Sequence, residues 1–237
     1  MKKRKHNTLE SILFLVVVVI AAYVILRSPY FDIRRVAVTG NQYLAEEVIL
    51  AATPVSAGEN IFGINVAAAT EELNKVPMVK EARISRVLPA TLLINVTERR
   101  PLGILPTGGG FVEVDEEAMC LQRSGSGVPG LPVITGISVE MVAPGEYIRN
   151  SLLIEVLKVV GELPQEITER LSEVNIDADG QVKAYTLDQI VCYFGATDDI
   201  KEKGEVLAQV LSEIDERGFK VEYVNVTSPD KPVLKYK

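Results

Sequence analysis

The side chains able to do chemistry are few and scattered. The sole histidine, His6, directly follows the basic stretch Lys2–Lys5 and lies ahead of a long apolar run. No Ser–His or Cys–His relay can therefore be assembled beyond that run. "PTGGGFV" at Pro106–Val112 lacks the Lys-Ser/Thr that completes a phosphate-binding loop, so it reads as a turn. "NIDADG" places Asn175, Asp177, Asp179 and Gly180 at calcium-loop positions 1, 3, 5 and 6. The loop's closing position falls on Thr186, which cannot replace a bidentate Glu, so a strand entering an Asp-Gly hairpin is expected instead. Asp198-Asp199 reads as a helix N-cap followed by a charge that complements the helix dipole. Cys120 and Cys192 sit in apolar, strand-like contexts and are expected as buried thiols, with a single bridge left open. Asn95 and Asn225 each begin "NVT", a glycosylation sequon by letter. No catalytic, cofactor-binding or metal residue is assigned.

What positions these residues begins with the N-terminus. The chain has 237 residues and a net charge of -7, which argues against a nucleic-acid partner. The acidity is uneven, because residues 1–8 carry four basic residues and no acid. Leu9–Leu26, "LESILFLVVVVIAAYVIL", is apolar on every face and spans ~27 Å as a helix, close to a hydrocarbon core of about 30 Å. We expect a transmembrane helix over 9–27, with the basic tip 1–8 in the cytoplasm and the remainder outside it. The rival is a cleavable signal peptide ending near Val19-Ile20-Ala21, but the apolar run continues past that point.

Beyond the span, Phe31–Asn41 alternates Ile33, Val36 and Val38 with polar residues and stops at Gly40-Asn41, which predicts a strand and a turn. Leu44, Val48 and Ala51-Ala52 fall at helical spacing. Asn65 can cap a second helix carrying the stripe Val66, Ala69, Leu73 and Val76. Two more strands follow, and in the second Leu92, Ile94 and Val96 share a face. The order β-α-α-β-β predicts a small α+β module with helices on one side of its sheet. Further on, Pro101–Gly110 marks a hinge or a first hairpin, and Gln122–Gly130 a flexible connection. Two helices are expected, with Leu153, Leu157 and Val160 buried in one and Ile200, Leu207, Leu211 and Ile214 in the other, the latter capped by Gly218. The hairpin at Asp179-Gly180 lies between them. A second α+β domain, built on an antiparallel-rich sheet, is expected over 100–228, with a tail at 229–237.

The tail raises the question of what covers the last strand. In Val221–Thr227, Val224 and Val226 face one way and Tyr223, Asn225 and Thr227 the other. Pro229 and Pro232 then break the pattern, and an apolar-basic segment with Val233, Leu234 and Tyr236 ends the chain. An edge strand either needs blunting, here by Lys231, Lys235 and the prolines, or serves as a docking template.

Taken in order, "F.I..V.V.GN" (Phe31–Asn41), "GENIF" (Gly58–Phe62), Val76–Ile104, "FVEVDEEAMCL" (Phe111–Leu121), "GLPVITGI" (Gly130–Ile137) and the final sheet segments resemble the FtsQ/DivIB family of bacterial cell-division proteins. The resemblance runs from Leu9 to Tyr236. It implies a POTRA module at 31–99, a single-pass anchor with the N-terminus in the cytoplasm, and no chemistry. It implies a divisome scaffold at the septum that binds bitopic partners of FtsL and FtsB/DivIC type and helps control septal peptidoglycan synthesis. Membrane lipid is contacted through the anchor; no nucleic acid or small molecule is expected. It points partner binding to Tyr223, Val224, Asn225, Val226, Thr227, Val233, Leu234 and Tyr236. In a bacterium the two sequons carry no meaning. The family often has Gly at Ala118 and Asp at Asn225. The other readings are a POTRA-containing transport or assembly factor, and an accessory domain of a cell-wall enzyme.

Overall fold

The computed structural model describes residues 8–140 and 142–237, with side chains from Glu10 onward. His6 and the basic tip short of Thr8 lie outside the described residues. The chain forms two compact units, one through Glu98 and one from Arg99.

In the first unit, α1 (Thr8–Leu26) is followed by a single 3-10 turn at Pro29–Phe31, β1 (Arg35–Thr39), α2 (Glu46–Ala52), α3 (Val66–Asn74), β2 (Val79–Val87) and β3 (Thr91–Glu98). This is the expected β-α-α-β-β order. Among the described residues no helix is long and apolar enough to cross a membrane. The sheet order is β1-β3-β2, with β1 parallel and β2 antiparallel to β3. Leu92, Ile94 and Val96 of β3 are buried with Ile33, Ile49, Ile61 and Leu73. Asn65 caps α3 by accepting the Ala68 amide at 3.2 Å. Gly40 turns the chain at φ +87°, where a Cβ would collide with the Val96 carbonyl.

One expectation is corrected here: in α2 the buried residue is Ile49, while Val48 is 47% exposed. The helix starts only at Glu46, and Leu44 lies ahead of it with its carbonyl accepting from Asn41. A stripe counted from Leu44 therefore lands on the wrong face. The unit is closed by Glu98, whose carboxylate accepts the amides of Gln42, Tyr43 and Leu44 at 2.8–3.0 Å.

The second unit contains β4 (Gly103–Thr107), β5 (Gly110–Val114), β6 (Cys120–Ser124), β7 (Val133–Thr135), α4 (Ser151–Glu162), α5 (Gln165–Thr168), β8 (Leu171–Ile176), β9 (Val182–Thr186), β10 (Val191–Gly195), α6 (Ile200–Arg217), β11 (Val221–Asn225) and β12 (Val233–Tyr236). They form one nine-stranded sheet, β12-β11-β10-β9-β8-β7-β4-β5-β6. Five of its eight pairings are antiparallel: β4–β5, β5–β6, β8–β9, β9–β10 and β11–β12. Pro101–Gly110 is thus a first hairpin. Gln122–Ser124, expected as part of a flexible connection, instead completes β6, because these residues pair with β5.

The helices bury the predicted stripes, Leu153, Leu157 and Val160 in α4 and Ile200, Leu207, Leu211 and Ile214 in α6, and Gly218 closes α6 at φ +66°. Gly136, at the end of the "PVITG" stretch, has φ +86°, and any Cβ there would strike the Ile176 carbonyl. The Asp198-Asp199 expectation changes. Asp199 occupies the N-cap position in left-handed geometry (φ 48°) and makes no capping bond, since a cap needs extended backbone there. Asp198 instead accepts from the buried Lys203 ammonium at 3.0 Å, and this hydrogen bond holds the Asp198 carboxyl below the usual carboxylate range.

Candidate partner-binding edge

The residues that could do chemistry are held apart. Asp177 accepts the amides of Asp179 and Gln181 at 3.0 and 2.9 Å, so "NIDADG" is the hairpin turn between β8 and β9. No cluster suited to a metal occurs among the described residues. Cys120 and Cys192 are free and buried. Burial pushes the Cys192 thiol up to about 12 and raises that of Cys120, so neither is a ready nucleophile near neutral pH.

At the C-terminal end the chain does something the sequence reading missed. After β11 it turns, with Lys231 N–H donating to Ser228 O at 3.1 Å, and returns as β12, antiparallel to β11. Within the segment 229–237, read as a tail, Val233–Tyr236 form a ninth strand of the sheet. Pro229 and Pro232 read as breakers, but they occupy the connection, where no ladder donor is needed. β11 therefore has neighbours on both sides, and the end of the sheet is β12. Thr227 lies beyond β11 and its amide is taken by Asn225 Oδ1 at 2.9 Å, so it is not on the sheet edge.

The register fixes which main-chain groups are open. Lys237 N–H donates to Lys220 O at 2.9 Å, and alternation along an antiparallel strand turns Lys235 and Val233 to the same side. The N–H and C=O groups of Leu234 and Tyr236 thus point away from β11. Leu234 packs its side chain on the domain core, while Val233 and Tyr236 are 53% and 55% exposed.

A layer of aromatic side chains lies beside this edge. Tyr193 and Tyr223 meet edge to face at 5.6 Å, because β10 and β11 run parallel with Val191 opposite Tyr223. Lys235 lies 5.9 Å over the Tyr223 ring and pairs with Glu222 at 2.8 Å, and that hydrogen bond raises the lysine's pKa. Phe219 packs on Tyr236 at 5.4 Å. Of the expected residues, Val224 and Val226 are buried in the core and offer no side chain to a partner. Tyr223, Asn225, Val233 and Tyr236 retain exposed surface. Tyr193, Phe219 and Lys235 were missed. The alternation of β10, with Cys192 and Phe194 buried, marks Tyr193 as outward, but its position beside Tyr223 depends on a parallel pairing that no local pattern encodes.

The opposite end of the sheet is covered where β6 begins. The segment Ala143–Ile148 meets the β5–β6 turn and the first residue of β6: Cys120 N–H donates to Glu146 O at 2.9 Å, Gly145 N–H to Cys120 O at 2.8 Å, and Ile148 N–H to Ala118 O at 2.9 Å. The β5–β6 turn is held by Arg99, which donates to Asp115 at 2.5 Å and to Glu117 at 2.8 Å. Burial alone would lower the guanidinium's pKa, but these hydrogen bonds outweigh it and raise the value. Ala118 sits in this turn at φ 59°.

Two family models match the chain: "POTRA domain, FtsQ-type" over residues 31–99 and "Cell division protein FtsQ/DivIB, C-terminal" over 103–226. Among curated proteins, cell division protein FtsQ of Geotalea daltonii is 26% identical, over 90% of this chain and 78% of its own length. Cell division protein DivIB of Clostridium botulinum is 24% identical, over 98% and 93%. The solved extracytoplasmic domain of Geobacillus stearothermophilus DivIB aligns with 50% of this chain and 92% of its own, at 15% identity and a TM-score of 0.35.

Proposed function

The chain belongs to the FtsQ/DivIB family of cell-division proteins, and from that premise we propose that it works by binding rather than by catalysis, capturing a partner's strand on β12. It is read as a single-pass scaffold of the bacterial divisome. It positions bitopic proteins of FtsL and FtsB/DivIC type at the septum and so helps control septal peptidoglycan synthesis. The observation that carries this reading is the contrast between a β6 edge covered where it begins and a β12 edge whose Leu234 and Tyr236 main-chain groups face outward beside half-exposed aromatics. Strand addition draws its affinity from such groups and its specificity from the flanking side chains.

Anchoring belongs to the same proposal. α1 has 19 residues, and at ~1.5 Å each they cover about 28 Å. The basic Lys2–Lys5 supports an N-terminus in the cytoplasm and both units outside it.

The test is co-purification of the full-length chain from membranes with each candidate bitopic protein. Capture by the intact chain, lost on deletion of Pro229–Lys237 while the deleted protein remains folded by circular dichroism, is the expected result. Undiminished capture by the folded deletion variant would sink the assignment of β12.

A further inference from the structure

Where α1 meets the rest of its unit, three segments converge. Asn60 Nδ2 donates to the last helical carbonyl, Leu26 O, at 2.9 Å, while its Oδ1 accepts the Phe62 amide at 3.1 Å. One side chain thus satisfies an otherwise orphaned helix-end carbonyl and shapes the loop that follows it. That loop is itself fixed. Ile33 N–H donates to Glu59 O and Ile61 N–H to Phe31 O, both at 2.9 Å. From β2, Arg86 donates to the carbonyls of Ile61 and Ile64, each at 2.7 Å. Val87 ends β2 and Leu88 opens the β2–β3 turn, where the Ala90 carbonyl accepts the amides of Arg34 and Arg35.

This end of the unit is apolar where solvent would reach it. Tyr30 is 59% exposed, Leu88 57%, Val87 47% and Phe62 41%. Phe31 stacks edge to face with Tyr30 and with Phe62, both at 5.2 Å, which holds the two exposed rings in place. A groove of about 400 Å³ runs between the helix end and the loop, lined by Tyr23, Leu26, Arg27, Asn60, Phe62 and Gly63. Arg27 lies 5.0 Å over the Tyr23 ring. Two cations belong to this end: Arg27 lines the groove and Arg86 is bonded to the carbonyls of the adjoining loop.

We propose that this end is a lipid-docking surface: Tyr30, Phe62, Val87 and Leu88 lie in the headgroup layer of the bilayer crossed by α1, and Arg27 meets anionic lipid phosphates. Aromatics and cations at the exit of an apolar helix are the side chains that favour that layer. Asn60 then holds the POTRA module against the membrane. The inference rests on the anchor reading above, and the experiment separates the two.

The chain contains no Trp, so one introduced Trp is a unique reporter. Full-length Phe62→Trp, Tyr30→Trp, Tyr23→Trp and Tyr43→Trp variants are reconstituted in vesicles of phosphatidylcholine and phosphatidylglycerol, with and without bromine on the acyl chains close to the headgroup. Tyr43, 65% exposed, lies by Glu98 and serves as the control. At least twofold quenching and a blue-shifted emission are expected for Phe62→Trp, Tyr30→Trp and Tyr23→Trp, and neither for Tyr43→Trp. Quenching at Tyr23 alone, with both Phe62 and Tyr30 behaving like Tyr43, overturns the docking surface and leaves the anchor standing. No quenching at Tyr23 overturns both. Equal quenching of Phe62→Trp in pure phosphatidylcholine overturns the role given to anionic headgroups.

Discussion

The two ends of the nine-stranded sheet solve the same physical problem in opposite ways. An edge strand exposes main-chain donors and acceptors and must be covered, blunted or used. At β6 the chain covers its start with Ala143–Ile148 and locks the adjoining turn with a buried Arg99–Asp115 pair. At β12 the sheet order ends on one more short strand, with the main-chain groups of Leu234 and Tyr236 facing outward beside Tyr193, Tyr223 and Phe219. The same sheet thus has one end that the chain itself begins to cover and another that it leaves open.

The contrast can be broken most forcefully at the closed end. Arg99→Ala leaves Asp115 buried without its cation, and should cost about 3–5 kcal/mol in urea unfolding. Protein that remains folded should capture its partner as before. A loss of capture without a loss of stability would show that the two ends are not separable.

At the open end the expected effect is on binding. Tyr236→Pro removes an outward N–H without removing a bond to β11, and should weaken capture at least tenfold, about 1.4 kcal/mol. Titration calorimetry against the captured partner, with urea unfolding in parallel, checks this. A shifted unfolding midpoint with unchanged affinity would reverse the assignment.

Leu234→Ala sharpens the comparison. The side chain is only partly buried, so the loss should be roughly 1 kcal/mol. Hydrogen exchange should speed up in β12 while β6 keeps its protection.

The smallest expected effect is a pH dependence behind the open end. The Lys203 hydrogen bond lowers the Asp198 pKa in the folded state. Its contribution is therefore fully present above the unfolded value of about 3.9 and is lost as pH falls through the lower folded value. Asp198→Asn should remove that part of the acid dependence and lower stability at pH 7 slightly, since the carboxylate is exposed while its Lys203 partner is buried. Unfolding midpoints between pH 5 and 2.5 measure it.

Much of the architecture was legible because it is written in local periodicity. The Leu92/Ile94/Val96 face, the α4 and α6 stripes, the Asn65 cap and the β8–β9 hairpin all follow from neighbours in sequence. The parallel pairings were not legible. β7 lies between β4 and β8, and β10 meets β11 only after α6, so both depend on contacts distant in sequence. The candidate edge was half legible. Val233, Leu234 and Tyr236 were marked, but the turn at Ser228–Lys231 disguised their strand as a tail, and the bulge between Val221 and Tyr223 buries Val221 together with Val224. The left-handed Asp199 escaped notice because a cap is recognised by residue type, whereas its φ of 48° is not written in residue type.

The brevity of β12 has a kinetic consequence. Four residues with one inward side chain form the part of the sheet that opens at least free-energy cost, so their amides exchange through local fluctuations while the β9–β10 ladder waits for larger ones. A partner that adds to β12 finds its template only in the molecules whose terminal strand is docked, and its apparent affinity is divided by that fraction. Under the proposed capture, whatever fastens β12 to β11, the Lys235–Glu222 pair included, therefore sets the fraction of molecules able to bind.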